Sequence, residues 1–127
     1  MTVLFAMIFF HILDDFTIQS IGFLSRGKQK SWWEINEPDP LYENDYVVAL
    51  LMHSFSWAFI IMVPVWFALR GQLPGICLVM IVVNMIIHAI VDHLKANRHA
   101  INLITDQLIH LVQILVTFIV VSYGVMR

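Results

Sequence analysis

His88-Ala-Ile-Val-Asp92 and Asp106-Gln-Leu-Ile-His110 are the two pieces of this chain on which its fold turns. Each sets a histidine and an aspartate four residues apart inside a strongly apolar run, once as His then Asp and once as Asp then His. Between them lies a short polar turn, Lys95-Ala-Asn-Arg-His99. Two helices joined by so short a turn run antiparallel, which brings both pairs to one height.

The surrounding composition says what kind of helices these are. The chain has 127 residues, 60% of them hydrophobic and 13% charged, with a mean hydropathy of +0.81. A soluble domain carries about 25% charge, so this is the composition of a membrane protein. Residues 1–127 read as a single membrane domain, because no hydrophilic block is long enough for a second one. The single Cys77 excludes an internal disulfide and a cysteine-rich metal site. The net charge of −2 gives no sign of a nucleic-acid partner. No basic leader or small-residue cleavage motif precedes the first apolar segment, which is expected to stay as a spanning helix.

Four apolar stretches fall at approximately 2–24, 46–69, 73–95 and 101–124. Each can cross a hydrocarbon core of about 30 Å, and lipid obliges the backbone to satisfy itself by forming helix. The expectation is an all-α, antiparallel up-down bundle of four transmembrane helices. Pro64 is expected to kink the second helix, and Pro74 to start the third. The one longer connection is the polar loop 25–45. It carries Arg26, Lys28, Lys30, the interfacial anchors Trp32 and Trp33, and then an acidic run. Arg26, Lys28, Lys30, Lys95 and Arg98 fall on one side, against Arg70 and Arg127 on the other. The positive-inside rule then places loop 25–45 and turn 95–99 in the cytoplasm and both termini in the periplasm.

Polar groups inside these helices are the chemical signal. Helix one carries His11, Asp14, Asp15 and Gln19, with 11, 15 and 19 on one stripe; helix two carries His53. Helix three aligns Asn84, His88 and Asp92, and helix four aligns Asn102, Asp106, His110, Gln113 and Thr117. Counted from the helix ends, the His and Asp residues fall in one layer of the cytoplasmic half. An ionised Asp at mid-membrane costs about 2.5–3.5 kcal/mol on insertion scales, so Asp15, Asp92 and Asp106 need compensation. Packed imidazolium groups would repel one another, whereas a divalent metal accepts both imidazole and carboxylate. Residues at i and i+4 have Cβ atoms about 5–6 Å apart, close enough to share an ion. His11, Asp15, His53, His88, Asp92, Asp106 and His110 are therefore the candidate ligands, for zinc, iron or manganese. Seven ligands suit two ions, and a bridging hydroxide would then be a nucleophile at neutral pH. Asp14 and Lys95 are the candidate catalytic groups beside the metal.

Each residue also has a plainer role. A single histidine in an apolar helix is commonly a hydrogen-bonded core residue. Asp14 can cap the polar face or orient a ligand. Gln19, Asn84 and Gln113 suit interhelical hydrogen bonds. His93 and His99 sit off the stripe or at the turn, and Lys95 and Arg98 serve as orientation signals.

The ordered set His11-x-x-x-Asp15-Phe16-x-x-Gln19, Lys28, His53, His88-x-x-x-Asp92-x-x-Lys95 and Asp106-Gln107-x-x-His110 resembles the DUF3307 family of small bacterial and phage membrane proteins. The resemblance covers nearly the whole chain and implies a bacterial inner-membrane protein; that family has no assigned activity. The acidic run 34–45 is longer than the resemblance leads one to expect.

Four function classes follow. In the first, a metal-dependent hydrolase acts near the cytoplasmic membrane surface on an anionic, lipid-phosphate-like substrate drawn by Lys95, Arg98 and Lys28. In the second, the His/Asp layer relays protons or divalent cations, which for four helices calls for a homo-oligomer. A third, bis-histidine haem, fits one His per helix but not the accompanying aspartates. In the fourth, a metal clamps the helices of a phage or defence-related regulatory protein whose loop binds a partner.

Overall fold

The computed structural model describes residues 1–21 and 23–125. Two expectations fall partly outside them: Gly22, within the first apolar stretch, and Arg127, one of the two cations counted on the far side. Every regular element among the described residues is helical. α1 (Thr2–Leu13) leads into a π-helical turn (Asp14–Ile18) and a 3-10 turn (Gln19–Ile21). Then come α2 (Phe23–Gly27), α3 (Lys30–Asn36), a 3-10 turn (Pro40–Tyr42), α4 (Asp45–Ile60), α5 (Val63–Ala68), α6 (Gly75–Ala96) and α7 (Leu103–Gly124). Three stretches are long and apolar enough to cross a membrane: Pro40–Ala68, Gly75–Ala96 and Leu103–Gly124.

Local chemistry accounts for the boundaries. Pro64 has no N–H for the Ile60 carbonyl, so α4 stops at Ile60 and α5 restarts around the proline. Pro74 stands just before α6. The Asn102 side chain accepts from Thr105 N at 2.9 Å and so caps α7; its place is at the helix start rather than on the polar stripe of that helix. The stretch 2–24 is not one α-helix. In the π turn the Gln19 N–H bonds to the Asp14 carbonyl, a five-residue step. That wider step carries the Gln19 side chain to Asp14, so the expected 11–15–19 stripe is broken there.

Much of the expected loop 25–45 is also helical. Gly27 ends α2 where a Cβ would stand 2.8 Å from the Phe23 ring and 3.2 Å from Ala49 Cβ, so this connection lies close on α4. Trp33 Nε1 donates to the Gly27 carbonyl at 2.7 Å. Asn97, at the end of α6, donates to the Lys28 carbonyl at 3.0 Å and accepts from Lys30 N at 2.7 Å.

α6 packs on α4 and α7, and the bundle is apolar outside and polar within. Along α6, Leu78, Val82, Ile86 and Ile90 are exposed, whereas Asn84, His88 and Asp92 are buried. One half of the interior is apolar, built from Met7, Ile61, Met62, Val65, Cys77, Ile81, Ile114 and Val121. Above it sits a polar layer.

Candidate metal centre

α4 delivers His53 to the polar layer, α6 delivers His88 and Asp92, α7 delivers Asp106 and His110, and the π turn delivers Asp15. Asp92 is the hub. Its Oδ2 lies 2.8 Å from His53 Nε2 and 3.7 Å from His88 Nε2, and its Oδ1 lies 3.7 Å from His110 Nε2. His53 Nε2 and His88 Nε2 are 3.2 Å apart, and Asp106 Oδ1 stands 3.4 Å from His110 Nε2. Two donors bound tetrahedrally to one zinc at about 2.1 Å stand about 3.4 Å from each other. Most of these separations lie near that value. The donor atoms of His88, Asp92 and His110 all lie within 4.8 Å of one another, as do those of Asp15, His53 and His88. His88 belongs to both groups. A neutral imidazole has one lone pair, so both groups cannot be filled through it at once.

The tautomer of His110 is fixed from below. Gln113 Nε2 donates to the carbonyl and side-chain oxygens of Asn84, both at 3.3 Å, which leaves Oε1 to accept from His110 Nδ1 at 2.9 Å. Asn84 is held in turn by Thr117 Oγ1 at 2.7 Å. With Nδ1 donating, the Nε2 lone pair of His110 faces the oxygens of Asp92 and Asp106. Among the described residues, His110 Nε2 and Asp106 Oδ1 are buried and make no hydrogen bond. An unsatisfied buried polar atom costs about 1–3 kcal/mol, and a cation shared by these atoms removes that cost. The chemistry of the donor set therefore fits a divalent ion.

Packing positions the other rings. Trp57 stacks on His88 with centroids 4.4 Å apart, and His88 stacks on His110 at 4.2 Å. His53 Nδ1 and His88 Nδ1 make no hydrogen bond among the described residues.

Four predicted site residues stand apart from these groups: His11, Asp14, Lys95 and Asp106. Trp57 Nε1 donates to His11 Nδ1 at 2.8 Å, and His11 Nε2 meets Gln107 Oε1 at 3.1 Å. Indole N–H is only a donor, so the His11 lone pair is engaged and Nε2 carries the proton. As it stands His11 is a spacer between Trp57 and Gln107, with no lone pair left for an ion. Asp14 is fully buried behind His53. It accepts from Gln19 Nε2 and, at 3.4 Å, from Ser56 Oγ, while Gln19 Nε2 also reaches the His53 carbonyl at 3.3 Å. These contacts tie Asp14 to Gln19 and Ser56, and it is not among the residues that line the cavity onto the layer. Asp15 remains near the surface and accepts from Gln107 Nε2 at 3.3 Å.

A cavity of about 80 Å³ opens onto the layer, lined among others by Asp15, Gln19, Lys28, His53, Asp92, Lys95 and Gln107. Lys95 Nζ pairs with Asp106 Oδ2 at 2.6 Å. Lys28, placed by sequence in a polar loop, reaches inward: its Nζ lies 2.5 Å from Asp92 Oδ2 and 3.0 Å from His53 Nε2. Its place in the ordered motif set was the only sign of this. Trp57 and Gln107 also carry more of the geometry than their sequence context shows.

Comparison with known proteins gives no match: no family model, no curated protein and no solved structure matches this chain.

Proposed function

We propose that this chain is an inner-membrane protein that binds one divalent metal among His53, His88, Asp92, Asp106 and His110 and uses it to hydrolyse an anionic substrate at the membrane surface. The observation that carries the reading is the convergence of three imidazole Nε2 atoms on one buried carboxylate, with His110 oriented by Gln113. A second-layer partner of this kind is what holds a metal-binding histidine in its working tautomer. One ion replaces the two read from the sequence, because the two donor groups share His88. Zinc, iron and manganese all accept this ligand set.

When bound, a divalent ion lowers the pKa of water and polarises a phosphoryl or acyl oxygen. The chain's own residues do the rest. Lys95 and Lys28 line the cavity and supply positive charge to an anionic group, and Asp15 and Gln107 border the space where water would sit. The reading includes a fourth crossing by residues 2–21, an up-down bundle and a cytoplasmic mouth near turn 95–99. The excess of Lys and Arg on that side supports this orientation, and the ordered motif set supports kinship with the DUF3307 family.

Relay of ions across the bilayer is less well supported, since the interior beyond Thr117 is apolar. Elemental analysis after purification in mild detergent tests the proposal. About one equivalent of metal is expected, lost in Asp92→Asn; a metal-free wild-type protein that also takes up none on titration overturns it.

A further inference from the structure

Among the described residues, Lys28 is the one cation that reaches the hub of the layer, and its backbone is held in place. Three side-chain hydrogen bonds fix the backbone around it: Trp33 Nε1 to the Gly27 carbonyl, Asn97 Nδ2 to the Lys28 carbonyl, and Lys30 N to Asn97 Oδ1. The side chain is 18% exposed, and its ammonium touches Asp92 Oδ2 and His53 Nε2, two of the atoms a metal needs. An ammonium and a divalent ion cannot share those two atoms. They would be too close for like charges in a poorly solvated site.

We propose that Lys28 and the metal exchange at Asp92, and that the displaced Lys28 ammonium joins Lys95 in the 80 Å³ cavity to make a phosphate-binding site that exists only in the metal-loaded protein. The inference rests on the metal reading above and adds the anion site and its coupling. The Lys28 backbone stays anchored by Asn97, so only the flexible side chain moves, and the cavity that already borders both lysines receives it. Asp106 keeps Lys95 at the rim. Metal and phosphate must then strengthen one another's binding by the same factor, since coupling between two sites is reciprocal.

Cobalt(II) is a suitable probe, because its visible spectrum reports tetrahedral binding. The detergent-purified full chain is titrated with cobalt(II) in the presence and absence of inorganic phosphate. Phosphate is expected to tighten cobalt binding by about fivefold or more. Lys28→Met is expected to bind cobalt about tenfold tighter without phosphate, and to lose most of the phosphate effect. Lys30→Met, whose ammonium lies 3.8 Å from Glu34 on α3, is expected to behave as wild type. Asn97→Ala, which frees the Lys28 backbone, serves as a second variant should Lys28→Met misfold by circular dichroism; it is expected to weaken the coupling. Cobalt binding that is unchanged by phosphate and by Lys28→Met overturns the exchange while leaving the metal reading intact. No cobalt binding in either wild type or Lys28→Met overturns both.

Discussion

Gln113 Oε1 accepts from His110 Nδ1 at 2.9 Å, and that single bond turns the opposite nitrogen of the ring toward Asp92 and Asp106. Replacing Gln113 with Leu frees the ring to adopt either tautomer. Metal affinity is expected to fall about 10- to 100-fold, with helical content unchanged. Cobalt or zinc titration of the variant measures it, and an unchanged affinity would show that the orientation of His110 is irrelevant.

Metal loading should also stabilise the fold. A ligand that binds only the native state adds about 2.7 kcal/mol at a hundred times its Kd. Chelator treatment is therefore expected to lower the thermal midpoint, and added metal to restore it. In His110→Ala the midpoint should no longer respond to chelator.

Asp92→Asn has a cost that does not depend on metal. Asp92 is 3% exposed and pairs with Lys28 at 2.5 Å. Breaking a buried pair leaves one charge uncompensated and costs about 3–5 kcal/mol. The double variant Asp92→Asn with Lys28→Met is expected to recover much of that loss. Thermal melts of the wild type, each single variant and the double variant give the comparison, and strict additivity would mean that the two groups do not interact.

Trp57→Phe separates two jobs of one side chain. The phenyl ring keeps an aromatic face against His88, but the N–H that engages His11 Nδ1 is gone. A destabilisation of about 1–3 kcal/mol is expected from the unsatisfied buried nitrogen. Metal stoichiometry by elemental analysis should stay the same, since His11 is outside the donor groups.

Asp14→Asn should likewise leave metal content unchanged. Asp14 meets Gln19 and Ser56 rather than the cavity. Loss of metal in this variant would make Asp14 part of the metal centre, a role the sequence does not assign it.

The spanning stretches Gly75–Ala96 and Leu103–Gly124 were legible because their apolar runs are long and uninterrupted. The pairing of His88 with Asp92 and of Asp106 with His110 follows from the four-residue spacing within an α-helix, which these two helices keep. The same rule holds for His11 and Asp15, 3.6 Å apart, but fails from Asp15 to Gln19, because the π turn inserts a residue that no local signal announces. His11 shows a second limit. Spacing says that a histidine faces the interior, but its protonation is decided by Trp57, 46 positions away. Lys28 shows a third. A lysine in a polar segment reads as a charge that draws anions at the membrane surface, and only the hydrogen bonds from Asn97 and Trp33 aim it inward to Asp92. Asn102 reads as a polar stripe residue until the helix start is known, where it becomes a cap.

The packed apolar floor formed by Ile81, Cys77, Ile114 and Val121 makes the polar layer a blind alley. Among the described residues, the opening onto it is the cavity that Lys28 and Lys95 help to line. Under the hydrolase reading, a spent anionic product lingers in the path of the next substrate. Turnover should then show competitive inhibition by product, and a bulky group fixed at position 95 should slow arrival and departure alike.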